Sequence, residues 1–432
     1  MKKTVIISIS RGFVVRDLVI SGAIGSLLKR STEVILLTHD RHLNDLSDLV
    51  KGKDNIRVIP YPPAPTQLHF LERKLTDAGY RLHRSPSVVR LVAQLNNLFS
   101  NLLQTGYFQQ LLDRYRPDLV VSGTPGFHTP VDAYLIREAK QRGIPTLSVI
   151  PSWDNLFTRG ILPVFPSRLA VWNEEIKSDF VRFYGYSTER IAVVGPLQFD
   201  FYFDDSIYIS RSDFFRQNGL EEGKKLVTIA LSRVDLVGSP DYLLSAIERA
   251  YERGRFVKPV QFVCRLHPFD QKLSKESLQH YRFCHFEHFN QRTASFGWCP
   301  DEAEIRHKAN LLKHSDVIVS YYSTFGIEGV LSGSPVIHVE FHNEKPKEFE
   351  RLKTQLYERH FRYLKGAEAI RPAQSEEALI GWINRYLENP QLDAPARRTL
   401  AERFCFRLDG KAHERLAEFA CRLMQNGKGS EP

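Results

Sequence analysis

Asp316-Val317-Ile318-Val319-Ser320-Tyr321-Tyr322-Ser323-Thr324-Phe325-Gly326-Ile327-Glu328-Gly329 is the stretch on which the fold turns. A short β-branched run meets a Ser/Thr pair and then apolar residues at helical spacing. The pattern predicts a strand at Val317–Ser320 running directly into a helix at Thr324–Leu331. Ser and Thr are preferred N-caps of any helix. The first turn of a helix also presents unpaired N–H groups and the positive end of its dipole, which together attract an anion. Ser320, Ser323 and Thr324 add hydroxyl donors, and Gly326 is expected to keep the approach open. Glu328, one turn on, is placed to accept hydrogen bonds from a ribose.

One βα step earlier, Gln261-Phe262-Val263-Cys264-Arg265-Leu266-His267-Pro268 ends another strand at an Arg and a His, and Pro268 forces the chain to turn. An Arg fork fits phosphate oxygens, and a His can donate to them. Ligands of open α/β sheets sit beyond the carboxyl ends of the strands. A surface Arg and a capping His are the plainer alternative.

Working outward, the βα rhythm occurs twice. The first series has strands at Lys3–Ser10, Glu33–Thr38, Ile56–Ile59, Asp118–Ser122, Thr146–Ile150, Ser167–Trp172 and Arg190–Pro196. Helical patterns lie between them at Val15–Leu28, His69–Tyr115 and Pro130–Arg142. The second series has strands at Leu226–Leu231, Val260–Leu266, Val317–Ser320 and Pro335–Val339, with helices at Asp241–Arg253 and Ala303–Ser315. Such alternation builds parallel sheets covered on both faces. The expectation is an N-terminal Rossmann-like acceptor domain over 1–199, a C-terminal Rossmann-like donor domain over 200–394, and a helical segment over 395–432 crossing back towards the first.

The 432 residues suit two domains, with 42% hydrophobic, 25% charged and 11% aromatic residues. A net charge of +9 suits an anionic ligand, an anionic acceptor or a membrane surface. No basic run is interleaved with aromatics as in a single-strand platform, so no nucleic acid is expected. Five scattered cysteines, none in a CxxC pair, argue for a reducing compartment. Arg11 cuts off the apolar run after Lys3 too soon for a signal core, and no stretch approaches a membrane span. A cytoplasmic location follows, with any membrane contact peripheral. No Walker A sequence and no GxGxxG opens either series. Asp204-Asp205 lacks the spacing of a metal-chelating pair, so neither metal nor cofactor is expected.

The order strand–RxHP, strand–SxxSTxxxE–helix, then Gly333-Ser334-Pro335-Val336-Ile337 resembles GT-B enzymes of bacterial surface-polysaccharide synthesis. The group it looks most like is the CDP-glycerol glycerophosphotransferase-like and capsule-type transferases. The likeness extends to Pro151–Gly160, to Gly195–Asp200 and to Leu408–Lys411. It implies an α/β, GT-B architecture, two Rossmann-like domains facing a central cleft, with the His-Pro and Ser/Thr motifs holding a donor's phosphates. It implies a nucleotide-sugar donor and a saccharide or lipid-linked acceptor at the inner face of the cytoplasmic membrane.

In the first series, Arg11 and Arg16 follow the first strand and are candidates for the acceptor. Asp17, at a helix start, could take the proton from an acceptor hydroxyl, or could simply favour the helix dipole. His128 is a rival base. Trp153 could stack on a sugar face while Asp154 and Asn155 bind hydroxyls, the alternative being an Asp-Asn turn beside a buried Trp. The reaction expected is an inverting, metal-independent glycosyl transfer in which His267 helps carry the leaving group's charge. A polyol-phosphate transferase, a non-hydrolysing UDP-sugar 2-epimerase and an inactive GT-B scaffold stand as alternatives.

Overall fold

The computed structural model describes residues 2–30, 32–62, 85–102, 106–124, 130–158, 161–268, 270, 272–287, 299–321, 323–359, 361–364 and 367–425. The chain divides into two units. One comprises Met1–Asp200, Thr293–Cys299 and Phe404–Pro432, the other Phe201–Arg292 and Pro300–Arg403.

The first unit is built on β1 (Lys3–Ser8), β2 (Thr32–Thr38), β3 (Ile56–Pro60), β4 (Leu119–Ser122), β5 (Thr146–Val149), β6 (Arg168–Val171) and β7 (Ile191–Val193). They form one sheet in the order β3-β2-β1-β4-β5-β6-β7, parallel throughout, with Ile6 opposite Ile35 and Val120. Val5, Ile6, Ile7, Val34, Ile35 and Leu36 are buried on alternating faces, as expected of strands covered on both sides.

The second unit carries β8 (Lys225–Ala230), β9 (Val260–Arg265), β10 (Cys284–Glu287), β11 (Val317–Ser320), β12 (Val336–Val339) and β13 (Ile370–Ala373). Their order is β10-β9-β8-β11-β12-β13, again parallel throughout. The edge strands β10 and β13 were not read from the sequence. Cys284-His285-Phe286-Glu287 is short and polar, and Ile370-Arg371-Pro372-Ala373 contains a proline, which a strand tolerates at a sheet edge.

Strand order reverses between β1 and β4 in the first unit and between β8 and β11 in the second. Chains leaving these strands diverge to opposite faces, which opens a crevice at the carboxyl end of the sheet.

Of the helical region expected over His69–Tyr115, residues 69–84 and 103–105 lie outside the described residues, and the rest holds two helices, Pro86–Leu102 and Gln109–Tyr115. Two more helical stretches differ from the even pattern read along the chain. Val15–Ile20 is a π-helix, closed by the Ser21 amide donating to the Arg16 carbonyl, and Gly22 at φ 92° separates it from the helix Ala23–Leu28. The last helical stretch is two helices, Ala394–Cys405 and Ala412–Gln425, parted at Phe406, whose φ is 63°. Within the first unit Ala412–Gln425 packs on Ala23–Leu28.

Candidate functional site

At the carboxyl edge of the second sheet, Arg265 closes β9 and is buried. One terminal nitrogen donates to Glu287 at 3.0 Å and the other to Glu304 on the helix Glu302–His314. Burial works against the guanidinium charge, but Glu304 and Glu287 more than offset it and its pKa is raised. Glu287 also meets His307 at 3.1 Å, and His307 with Arg265 outweighs burial to hold its carboxyl below the usual range. The phosphate role expected of Arg265 thus has competitors within the fold. Both ends of its fork are spent on internal carboxylates, and what the pair does is pin the end of β9 to β10 and to the neighbouring helix.

His267, two residues on, is half-buried. Burial, followed by the charge of Arg233, pushes its pKa down to about 4 against smaller opposing effects of Asp270 and Asp235. The ring is neutral at ordinary pH and offers one N–H donor and one acceptor rather than a positive charge. The loop carrying it is tied to the loop after β8, because Asp270 accepts from the Val234 amide at 2.6 Å while its own amide donates to the His267 carbonyl at 2.9 Å. Arg233, paired with Asp235 at 2.9 Å, thus shares this edge with His267. The sequence reading missed Arg233 and Asp270. The rule that ligands gather beyond strand ends, applied to Leu226–Leu231 as it was to β9, would have found Arg233.

From β11, Ser323 occupies the N-cap of the helix Thr324–Leu331 with extended backbone (φ −154°), yet its hydroxyl accepts no hydrogen bond from that helix. By contrast Asn173, Ser210, Asp301 and Ser375 all cap their helices with their side chains. Ser323 and Thr324 are half-buried, and no acidic residue stands in the first turn. Such an end attracts an anion.

Three further residues of this motif turn inward. The Ser320 hydroxyl is buried and has no hydrogen-bond partner among the described residues. A Cβ on Gly326 would lie 2.9 Å from His338 Nε2 and 3.1 Å from Ser320 Oγ. The absence of a side chain there serves the close seating of helix on sheet, not ligand approach. Glu328 is buried and accepts from Lys308 at 2.8 Å, so its carboxylate is engaged by the neighbouring helix rather than left for a ribose. Nearby, the Tyr242 and Tyr321 hydroxyls meet at 2.7 Å and His342 stacks on Tyr242 with ring centroids 3.9 Å apart.

In the first unit, Arg11 is exposed just beyond β1 and begins the turn Gly12–Val14. Arg16 and Asp17 both lie in the π-helix, with Arg16 Nε 2.6 Å from Asp17 Oδ1. Burial raises the Asp17 pKa and Arg16 opposes it only in part. Single π-turns in helices recur at functional sites. In the same unit Asp132, unread in the sequence, is wholly buried. It accepts from the Ser8 hydroxyl, from Ser10 at 3.2 Å and from Thr124 at 2.5 Å, which ties together the ends of β1 and β4.

Trp153 is 3% exposed and meets Phe404 edge to face, with centroids 5.6 Å apart, the buried Trp of the alternative reading. Asp154 accepts from Ser152 at 2.5 Å and from Asn155 at 3.4 Å, the local bonding of a turn. Asn155 is buried and its Oδ1 has no partner among the described residues. His128 lies outside the described residues. The motif Gly195–Asp200 reaches the helix that follows Leu408–Lys411. Asp200 accepts from the amides of Ala412 and His413 at 3.1 and 2.8 Å and from His413 Nδ1 at 2.7 Å, capping the last helix.

Two parallel sheets of seven and six strands, each wound about its own switch point, define a GT-B fold. Solved structures agree. The chain is similar to a UDP-GlcNAc 2-epimerase from Neisseria meningitidis bound to UDP-GlcNAc, at 12% identity and TM-score 0.57 over 99% of this chain and 100% of that one. It is similar to a glycosyltransferase from Rickettsia africae at 13% identity and TM-score 0.53, with 99% and 100% covered. A UDP-GlcNAc 2-epimerase from Methanocaldococcus jannaschii gives 14% identity and TM-score 0.53, with 99% and 100% covered. No protein-family model matches the chain. No curated protein matches it in sequence. At such identities the likeness is one of fold, and it speaks to GT-B rather than to a CDP-glycerol-type subgroup.

Proposed function

We propose that the protein is a nucleotide-sugar-dependent glycosyltransferase, inverting and metal-independent. It would serve bacterial surface-polysaccharide or glycoconjugate synthesis, with a saccharide or lipid-linked acceptor. The observation that carries this reading is the uncapped N-terminus of the helix Thr324–Leu331 at the switch point of the second sheet, where Ser323 keeps its hydroxyl out of the cap. Unpaired N–H groups and hydroxyls there suit the oxygens of a diphosphate.

In this reading the acceptor hydroxyl loses its proton to the Asp17 carboxylate, whose basicity burial increases. His128 stands as the alternative base. The oxygen attacks the anomeric carbon from the side opposite the nucleotide, and the carbon–oxygen bond to the diphosphate breaks with its electron pair. His267, Ser323 and Thr324 stabilise the departing charge by donating hydrogen bonds, a role metal ions fill in other transferases. Arg11, exposed beyond β1, would bind the acceptor.

A thermal-shift series with CMP, CDP, UDP, GDP and their sugars tests the donor assignment, because a ligand bound only by the folded state raises Tm by mass action. A nucleoside diphosphate should raise Tm in the native protein and do so less in His267→Ala. No shift with any nucleotide overturns the reading. The presence of epimerases among the similar structures favours one second reading, a UDP-sugar 2-epimerase. Proton NMR showing a UDP-sugar inverted at C2 without acceptor would select it.

A further inference from the structure

The helix Pro86–Leu102 belongs to the first unit and packs there on the helix Glu174–Tyr184. Its inner face carries Val89, Ala93 and Asn96, all buried. Asn96 donates to the Leu162 carbonyl at 3.1 Å, and Asn97 accepts from the Phe165 amide at 2.8 Å. These bonds fix the helix about its own axis. Its outer face then has to be the one bearing Val88, Leu91, Leu95 and Leu98, which are 39%, 58%, 56% and 60% exposed. Spaced by three, four and three, they form one stripe, about 15 Å long at the helical rise. The other exposed large apolar side chains among the described residues are Leu236, Tyr251 and Val257, all of the second unit.

We infer that this stripe is a docking face for an anionic lipid surface. A helix fixed to a folded unit with an apolar stripe outward is suited to lie in the plane of a bilayer interface. No helix among the described residues is long and apolar enough to cross a membrane. Charge selects the sign of the surface. The helix contains no Asp or Glu, Arg90 is exposed beside the stripe, and the chain carries +9 overall. Arg90 runs close over Gly185, where a Cβ would stand 2.7 Å from its Nε. Area argues against a second copy of the chain. Four such side chains expose on the order of 400 Å², half of the roughly 800 Å² per partner in an ordinary dimer. Two copies of a basic helix would also bring like charges together.

The test is co-sedimentation of the full chain with vesicles of phosphatidylcholine alone and of a phosphatidylglycerol-rich mixture. The expected result is pelleting with the anionic vesicles only, weakening as salt is raised. Leu91→Gln/Leu95→Gln/Leu98→Gln should bind them roughly tenfold less with an unchanged melting temperature, because it removes surface apolar contact alone. A Leu95→Trp variant gives a second readout, a blue shift of its added indole emission on anionic vesicles. Native protein left in the supernatant with both vesicles overturns the inference. So does equal pelleting on the two compositions, an unshifted emission from the Leu95→Trp variant, or a dimer in solution that the triple variant abolishes. The assay needs no nucleotide or acceptor, so its failure is distinct from failure of the transferase reading.

Discussion

His267 illustrates how burial changes the chemistry of a motif. The residue ends a strand as a phosphate ligand should, but with its pKa near 4 it acts as a neutral donor. His267→Ala should lower kcat by roughly 10²-fold, comparable to losing one oxyanion donor. In the native protein kcat should show no step from this group between pH 6 and 8, which a pH–rate profile checks. Asp17 is the matching residue of the first unit. Asp17→Asn should lower kcat by roughly 10²- to 10⁴-fold while a donor nucleotide still raises Tm, since only proton transfer is removed. Gly326 has a structural rather than a chemical role. Gly326→Ala puts a methyl within 2.9 Å of His338 Nε2, and overpacking of this kind should destabilise the protein by about 1–3 kcal/mol in urea unfolding.

At the scale of elements, the end of β9 is held by charge. Arg265 reaches Glu287 at the end of β10 and Glu304 on the helix Glu302–His314, and all three are buried or nearly so. Arg265→Ala leaves two carboxylates without their cation inside the unit. The expected loss is about 3–5 kcal/mol of unfolding free energy, the cost of breaking a buried pair from one side. Arg265→Met, of similar volume, should recover little of it because the guanidinium's hydrogen bonds to both carboxylates are still lost. β10 and β13 make a related point. Neither has an apolar run of its own, and each becomes a strand because β9 or β12 offers an unpaired edge. The π-helix at Val15–Ile20 has the same apolar spacing as an α-helix, so periodicity could not reveal that the hydrogen bonds there skip one residue.

For the whole molecule, histidines wholly or partly withdrawn from water set the response to acid. Burial holds His338 at about 3, while His42 and His267 are lowered to about 4. Unfolded, a histidine titrates near 6.5. Between these values the unfolded chain takes up protons that the folded chain refuses, so stability falls as pH drops through 6.5 towards 4. His338 alone should cost about 2 kcal/mol between pH 7 and pH 5. Urea unfolding at the two pH values checks the slope, which His338→Asn should flatten. The sequence by itself determined the parallel α/β class, the double βα series and the strand ends where anions gather. Apolar runs punctuated by Gly, Pro, Ser and Thr are local properties, and Val317–Ser320 followed by Ser323-Thr324 carries them within a dozen residues. Only the tertiary structure decided which polar residues of those strand ends remain available. Arg265 and Glu328 were claimed by Glu304, Glu287 and Lys308 across helices and strands distant in the chain. Ser323 was left with an uncommitted cap. The hydrogen bonds of Asn96 and Asn97 turned one leucine stripe outward. A charge or a hydroxyl has its function settled by its partners, and those partners are brought to it by folding.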